Sequence, residues 1–145
     1  MRRKGTYILV IRLGADADIR VGALGVLHFS SGLYCYTGSA MGGLDQRLRR
    51  HMAREKAMKW HADYLTVAAD SVDAMVSYPD PVPECELAAL AAECGMSLSF
   101  KGFGCSDCHC STHLFSCDAD SIARLAERAR LVSYNLISFP SGKPL

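Results

Sequence analysis

The sequence has no apolar run long enough to cross a bilayer. Its longest uninterrupted stretches, such as Tyr7–Ile11 and Leu87–Ala92, fall far short of the ~20 residues a spanning helix needs. It also lacks a charge imbalance: 16 Lys+Arg stand against 15 Asp+Glu, a formal net charge of +1. A uniformly basic nucleic-acid glove is thereby excluded, and any such surface must come from local clustering. No export signal is legible. Met-Arg-Arg-Lys precedes Gly5, but the apolar run that follows is short and strand-like, with no small-residue cleavage site, so a cytoplasmic protein without a membrane partner is expected. There is no internal repeat, no low-complexity tract and no long linker; the one proline-rich stretch, Tyr78-Pro-Asp-Pro-Val-Pro83, reads as a short connection. With 145 residues, 50% of them hydrophobic and 21% charged, the chain is neither disordered nor dependent on a metal or disulfide to fold. One domain over residues 1–131 is expected, with a loose Ser-, Gly- and Pro-containing tail at 132–145.

Cysteine, by contrast, is plentiful: seven residues, an odd number. Cys35, Cys85, Cys94 and Cys117 are scattered in apolar surroundings and read as small buried hydrophobes in a reducing compartment. Cys105, Cys108 and Cys110 lie together with His113. Four soft ligands within nine residues could close a tetrahedral Zn²⁺ site. The spacing is tight and no distant C-x-x-C pair completes a zinc ribbon, so a glycine-rich loop of buried thiols, with Asp107 and His113 in polar contacts, is the competing reading.

The pattern predicts an α+β domain, a small central, mostly antiparallel sheet flanked by helices. Gly5–Leu13 is rich in β-branched and apolar residues, the pattern of a strand buried on both faces. Ile19–Phe29 and Gly32–Tyr36 read as the next strands around a turn at residues 30–32, and Gly38–Gly43 as a small-residue loop. Leu44, Leu48 and Met52 recur at helical spacing and predict a helix over 44–56. Short strands are expected at 64–69, 74–78, 97–101 and 113–117. Helices are expected over 83–94, with proline at the start and Gly95 past the end, and from an Asp118 or Asp120 cap to about Leu131.

The chemistry concentrates in residues 36–56. On a helix, Arg47, His51 and Arg54 fall on one side, away from the leucine face. With Arg49, Arg50 and Lys56 they make residues 44–56 locally basic, and a small-residue loop entering a basic helix suits a phosphate. A solvated cationic surface helix has the same composition. No Walker lysine follows the glycines, which disfavours a nucleotide loop.

Gly5-Thr-Tyr7, Tyr36-Thr-Gly38 and Leu44-x-x-Arg47-x-x-x-His51, in that order, resemble the GIY-YIG nuclease superfamily. Glu84, in Pro83-Glu-Cys-Glu-Leu-Ala, stands where that superfamily carries an acidic residue on a later helix. The Trp60–Leu65 segment and the Gly102–Phe115 segment are similar to those of its Uri-type branch, which shares a longer insertion between the tripeptides, here an extra strand. Thr6 and Thr37 replace the central isoleucines; being β-branched they suit a strand equally well.

The resemblance implies a phosphodiester hydrolase acting on nucleic acid, DNA foremost, with one Mg²⁺ or Mn²⁺. Glu84 would be the ligand of the divalent ion, with Glu86 as its rival; two residues apart on a helix, both cannot face one site. Tyr7 or Tyr36 would position or deprotonate water, Arg47 would contact the scissile phosphate, and His51 would orient a tyrosine or water. Arg49, Arg50, Arg54 and Lys59 would bind the nucleic-acid backbone. Trp60 could stack on a base, but as an aromatic beside a basic helix it reads first as an anchor between elements. A module that binds nucleic acid without cleaving it needs only the basic face, and a regulatory metalloprotein only the cysteine loop; the joint presence of Tyr7, Tyr36, Arg47 and an acid favours catalysis.

Overall fold

The structure is a computed structural model, and it describes residues 3–104, 110 and 112–134. Its centre is strand β1 (Gly5–Leu13), paired antiparallel on one side with β4 (Gly32–Ala40) and on the other with β5 (Ser71–Ser77). Strands β6 (Ser97–Leu98), β7 (Leu114–Cys117) and β8 (Val132–Ser133) complete a six-stranded sheet in the order β6-β7-β4-β1-β5-β8, with every pair antiparallel.

Alternation along β1 divides the molecule in two. Tyr7, Leu9, Ile11 and Leu13 face one core, closed by helices α1 (Leu44–Met52) and α2 (His61–Ala68). Ile8 and Val10 face the other, closed by α3 (Glu84–Glu93) and α4 (Ala119–Ala129). Leu44 and Leu48 of α1, and Leu87 and Leu125 of α3 and α4, are all fully buried; each such side chain contributes roughly 1.5–3 kcal/mol. The α+β expectation and the two-sided burial of the first strand agree with this architecture.

Several boundaries differ from the sequence reading. The single strand expected over 19–29 is two short strands, β2 (Ala17–Arg20) and β3 (Val26–Phe29), around a 3₁₀ turn at Gly22–Leu24. Gly22 and Gly25 both adopt positive φ, and the Val21 N–H donates to the Gly25 carbonyl, so the chain reverses within what reads as one apolar run. This ribbon is a separate two-stranded sheet lying on the α1/α2 side of the core. The loop expected at 38–43 starts later, because Gly38–Ala40 continue β4. The helix expected over 44–56 stops at Met52, where Ala53 turns extended. Lys56 Nζ folds back to donate to the carbonyls of Arg50 (2.8 Å) and His51 (2.9 Å), closing the helix C-terminus.

The strand expected over 64–69 is helix α2. Its N-terminus is capped by the buried Asp63 carboxylate, which accepts from the backbone N–H groups of Lys59 (2.8 Å) and Trp60 (2.9 Å). This local bond outweighs the β-propensity of Tyr64, Thr66 and Val67. Residues 132–134, expected to belong to a loose tail, take part in the fold: Val132 and Ser133 pair with Val76 and Met75, and Tyr134 Oη donates to Asp45; the rest of the expected tail lies outside the described residues. Helix α4 ends at Ala129, with Arg130 in the left-handed region.

One close approach fixes the register where the two tripeptides meet. Tyr7 lies opposite Gly38, and a Cβ on Gly38 would stand 2.3 Å from the Tyr7 ring. Gly38→Ala should therefore destabilise the fold by about 1–3 kcal/mol, the range for overpacking. In a Tyr7→Ala background, where the obstructing ring is gone, most of that cost should vanish. Denaturant unfolding of the four proteins of the cycle measures it, and an equal cost in both backgrounds would contradict the close approach.

Candidate functional site

The β1–β4 register places Tyr7 beside Gly38 and Leu9 beside Tyr36, so both tyrosines project to the α1 side of the sheet. Helix α1 presents Arg47 and His51 above them, one turn apart. The result is a polar cleft of about 290 Å³ bounded by Tyr7, Tyr36, Arg47, His51, Lys59, Trp60 and Glu84.

Tyr7 and His51 form the floor. Tyr7 Oη lies 2.7 Å from His51 Nε2, and both side chains are buried. Burial raises the Tyr7 phenol above its ordinary value, against the lowering influence of the Arg47 charge and hydrogen bond. Burial also lowers His51, to about 3, with the positive charge of Lys56 acting in the same direction. Tyr7 and His51 are thus a neutral phenol hydrogen-bonded to a neutral imidazole, the direction of the bond being set by the imidazole tautomer. His51 Nδ1 is buried without a hydrogen-bond partner. Tyr36 packs edge-on against His51 and against Phe103. A Cβ at Gly104, whose φ is positive, would come within 3.0 Å of the Tyr36 ring.

The cationic wall is organised around Trp60. Arg47, Arg50 and Lys59 place their charges 4.4, 4.8 and 5.1 Å from the Trp60 ring. Arg47 is further held by donating to the Ser39 carbonyl (2.8 Å), and Arg50 by Asp63 (2.7 Å). Of the cations expected to touch a nucleic-acid backbone, Lys59 lines the cleft. Arg50 is committed to Asp63 and the Ala57 carbonyl. Arg49 and Arg54 are exposed and do not line the cleft, Arg54 because α1 ends before it. Trp60, expected mainly as an anchor, is half-buried at the cleft wall.

Glu84 belongs to the opposite layer yet reaches the cleft, and two threonines account for this. Thr6 Oγ1 donates to the carbonyl of Val82, just before α3, while Ser77 Oγ accepts from the Val82 N–H (2.8 Å). Thr37 Oγ1 lies 2.7 Å from His113 Nδ1, and His113 Nε2 is 3.4 Å from Glu84 Oε2. Burial lowers His113, so this is a neutral imidazole facing a carboxylate rather than an ion pair. Glu86 is exposed and does not line the cleft, so the geometry selects Glu84 of the two acids. Thr6 and Thr37 are therefore the residues whose hydroxyls locate Glu84.

Of the expected zinc ligands, Cys105 and Cys108 lie outside the described residues. Cys110 and His113 come together with Cys85, their ligand atoms all within 4.8 Å of one another, a cluster that could hold a metal ion. Cys35 and Cys94 are buried as expected. Cys85, expected to be buried as well, is exposed on α3.

A family model matches residues 6–133, from β1 through β8. The chain belongs to that family, described as Domain of unknown function DUF123. No curated protein and no solved structure gives a significant match. The DUF123 span contains every cleft residue and the Cys85–Cys110–His113 cluster, but none of the residues lining the cleft comes from the β2–β3 ribbon. Among the described residues no helix is long and apolar enough to cross a membrane. In this DUF123 chain the sequence pattern counts Lys56 only toward a basic helix and gives no role to Asp63 or to the Thr37–His113–Glu84 contact; the signal available was a hydrophilic run directly after an amphipathic helix.

Three histidines are held neutral by burial: His51, His61 and His113. Each binds a proton more readily when unfolded, so folding loses stability as pH falls below the unfolded value of about 6.5, the His51 contribution continuing toward 3. The Asp45 and Asp63 carboxyls, held low, add loss only below about 4. Urea midpoints should decline between about pH 6.5 and pH 4, and His51→Gln should flatten that decline. A midpoint constant across this window would contradict the buried neutral imidazoles.

Proposed function

We propose that this protein is a metal-dependent endonuclease of the GIY-YIG type, in its Uri-type branch, hydrolysing phosphodiester bonds in nucleic acid, DNA foremost. One observation carries the reading: Tyr7, Tyr36, Arg47, His51 and Glu84, from two strands and from helices on both sides of the sheet, surround one polar cleft. Packing alone does not require this set to converge, since tyrosines on adjacent strands need no arginine or carboxylate beside them.

Glu84 is a partly exposed carboxylate at the wall of a wet cleft, which suits a hard ion such as Mg²⁺ or Mn²⁺ that keeps most of its waters. Such an ion, when bound, supplies charge neutralisation at the phosphate and its leaving oxygen. The chain's own groups do the rest. Arg47, held by Ser39 and stacked on Trp60, keeps N–H donors free to grip the scissile phosphate, an interaction that strengthens as charge develops. Tyr7, hydrogen-bonded to His51 Nε2, accepts a hydrogen bond from the attacking water and orients it; Tyr36 closes the other side of the water's position. Buried and neutral, His51 fixes the Tyr7 hydroxyl without adding a charge that would compete with Arg47. Lys59 and Trp60 offer a phosphate contact and a stacking face to the flanking strand.

Two substitutions separate an enzyme from a binding module. Glu84→Gln should bind nucleic acid as the parent does while losing at least ~100-fold in cleavage, the scale for removing one central electrostatic element. Arg47→Ala should lose cleavage and part of its affinity, with a shallower dependence of binding on salt. If Glu84→Gln cleaves like the parent, or only binds more tightly, the catalytic reading fails and a binding module remains.

A further inference from the structure

We propose that Cys85, Cys110 and His113 form a site for a soft divalent cation, zinc foremost, beside the catalytic cleft and distinct from the hard-ion position at Glu84. The ligands come from separate parts of the chain: Cys85 from the first turn of α3, Cys110 and His113 from the segment leading into β7. Their donor atoms already lie within 4.8 Å of one another. Zinc–sulfur and zinc–nitrogen bonds of roughly 2.3 and 2.0 Å place tetrahedral ligands about 3.5 Å apart, so closure requires movements of about 1 Å. The exposed Cys85 thiol supplies that movement by rotation about χ1.

The imidazole has the outer partner that metal-bound histidines characteristically have. Thr37 Oγ1 lies 2.7 Å from His113 Nδ1, so Nε2 would be the ligand nitrogen, exchanging its 3.4 Å contact with Glu84 Oε2 for the ion while Nδ1–H donates to the hydroxyl. Nε2 points toward the start of α3, where Glu84 and Cys85 are neighbours in sequence. The donor set is self-consistent electrostatically: two thiolates balance the ion's charge, and a neutral imidazole completes three positions, with the fourth left for a solvent molecule. His113 is buried, Cys110 half-buried and Cys85 exposed, a gradient that gives an ion a path inward from an adjoining apolar groove that Cys85 and Cys110 line. Soft sulfur donors reject Mg²⁺, so this position and Glu84 take different ions.

An ion here would join the N-terminus of α3 to the strand beside β4 and thereby fix the residue preceding Cys85, which is Glu84. The proposal stands on metal binding alone and does not depend on phosphodiester hydrolysis.

The test uses the full chain, purified under reducing conditions without chelator. Metal analysis should find about one zinc per chain, and replacement by Co²⁺ should give a thiolate-to-cobalt charge-transfer band. Cys85→Ser, at an exposed position that leaves folding intact by circular dichroism, should weaken zinc retention on dialysis by at least ~10-fold and reduce that band by about half, one thiolate of two having gone. Unchanged zinc content and an unchanged band in Cys85→Ser would place the ion on other thiols and overturn the assignment. So would parent protein that takes up neither ion, or a Cys85–Cys110 disulfide persisting in reductant.

Discussion

The Tyr7 ring rests on the bare backbone of Gly38, and this contact settles the relation of the two strands that carry the site. A one-residue slip of β4 against β1 would put Tyr7 and Tyr36 on opposite faces of the sheet and bring Thr37 to the side of Tyr7. With the register held, odd positions of β1 and even positions of the paired stretch of β4 divide their duties between two faces. The tyrosines meet Arg47 and His51 on one side, while the threonines fasten the α3 approach and His113 on the other. The cleft lies where the two layers meet, at the end of the sheet, which is how a carboxylate on the far helix comes to share a space with a guanidinium on the near one.

Electrostatics within the cleft follow from burial more than from pairing. His51 and Tyr7 are both driven to their neutral forms by desolvation, so the floor is an uncharged hydrogen-bonded couple. Charge is confined to the rim, where Trp60 collects three cations against its ring and Asp63 anchors one of them from beneath. Asp63 thus serves two ends at once, capping α2 and orienting Arg50. A neutral floor with a cationic rim on a chain of net charge +1 concentrates attraction for an anion at one place instead of spreading it over the surface.

Much of this was readable from residue order. The central strand, α1, α3 and the Asp118-capped α4 follow from apolar periodicity and end signals, while the convergence of Tyr7, Tyr36, Arg47 and Glu84 was expected only through the resemblance to the GIY-YIG superfamily. What escaped was set by side-chain bonds that periodicity does not register. The Asp63 carboxylate turns a segment of high β-propensity into α2, and Lys56 stops α1 four residues early. The glycine-hinged reversal at 21–25 makes a ribbon of one apolar run. Cys85 looked like one more buried thiol, because an exposed cysteine in an alanine-rich helix has no signal until a strand from elsewhere brings Cys110 and His113 to it.

The central claim is that this cleft hydrolyses phosphodiester bonds with help from a divalent ion. The most direct measurement incubates the unmodified chain with end-labelled single- and double-stranded DNA and RNA, in Mg²⁺, in Mn²⁺ and in EDTA, and resolves the products by length. The account predicts shortened strands in at least one DNA form with either metal, and intact strands in EDTA. Intact nucleic acid under every metal condition, from protein shown to bind it, would contradict the claim.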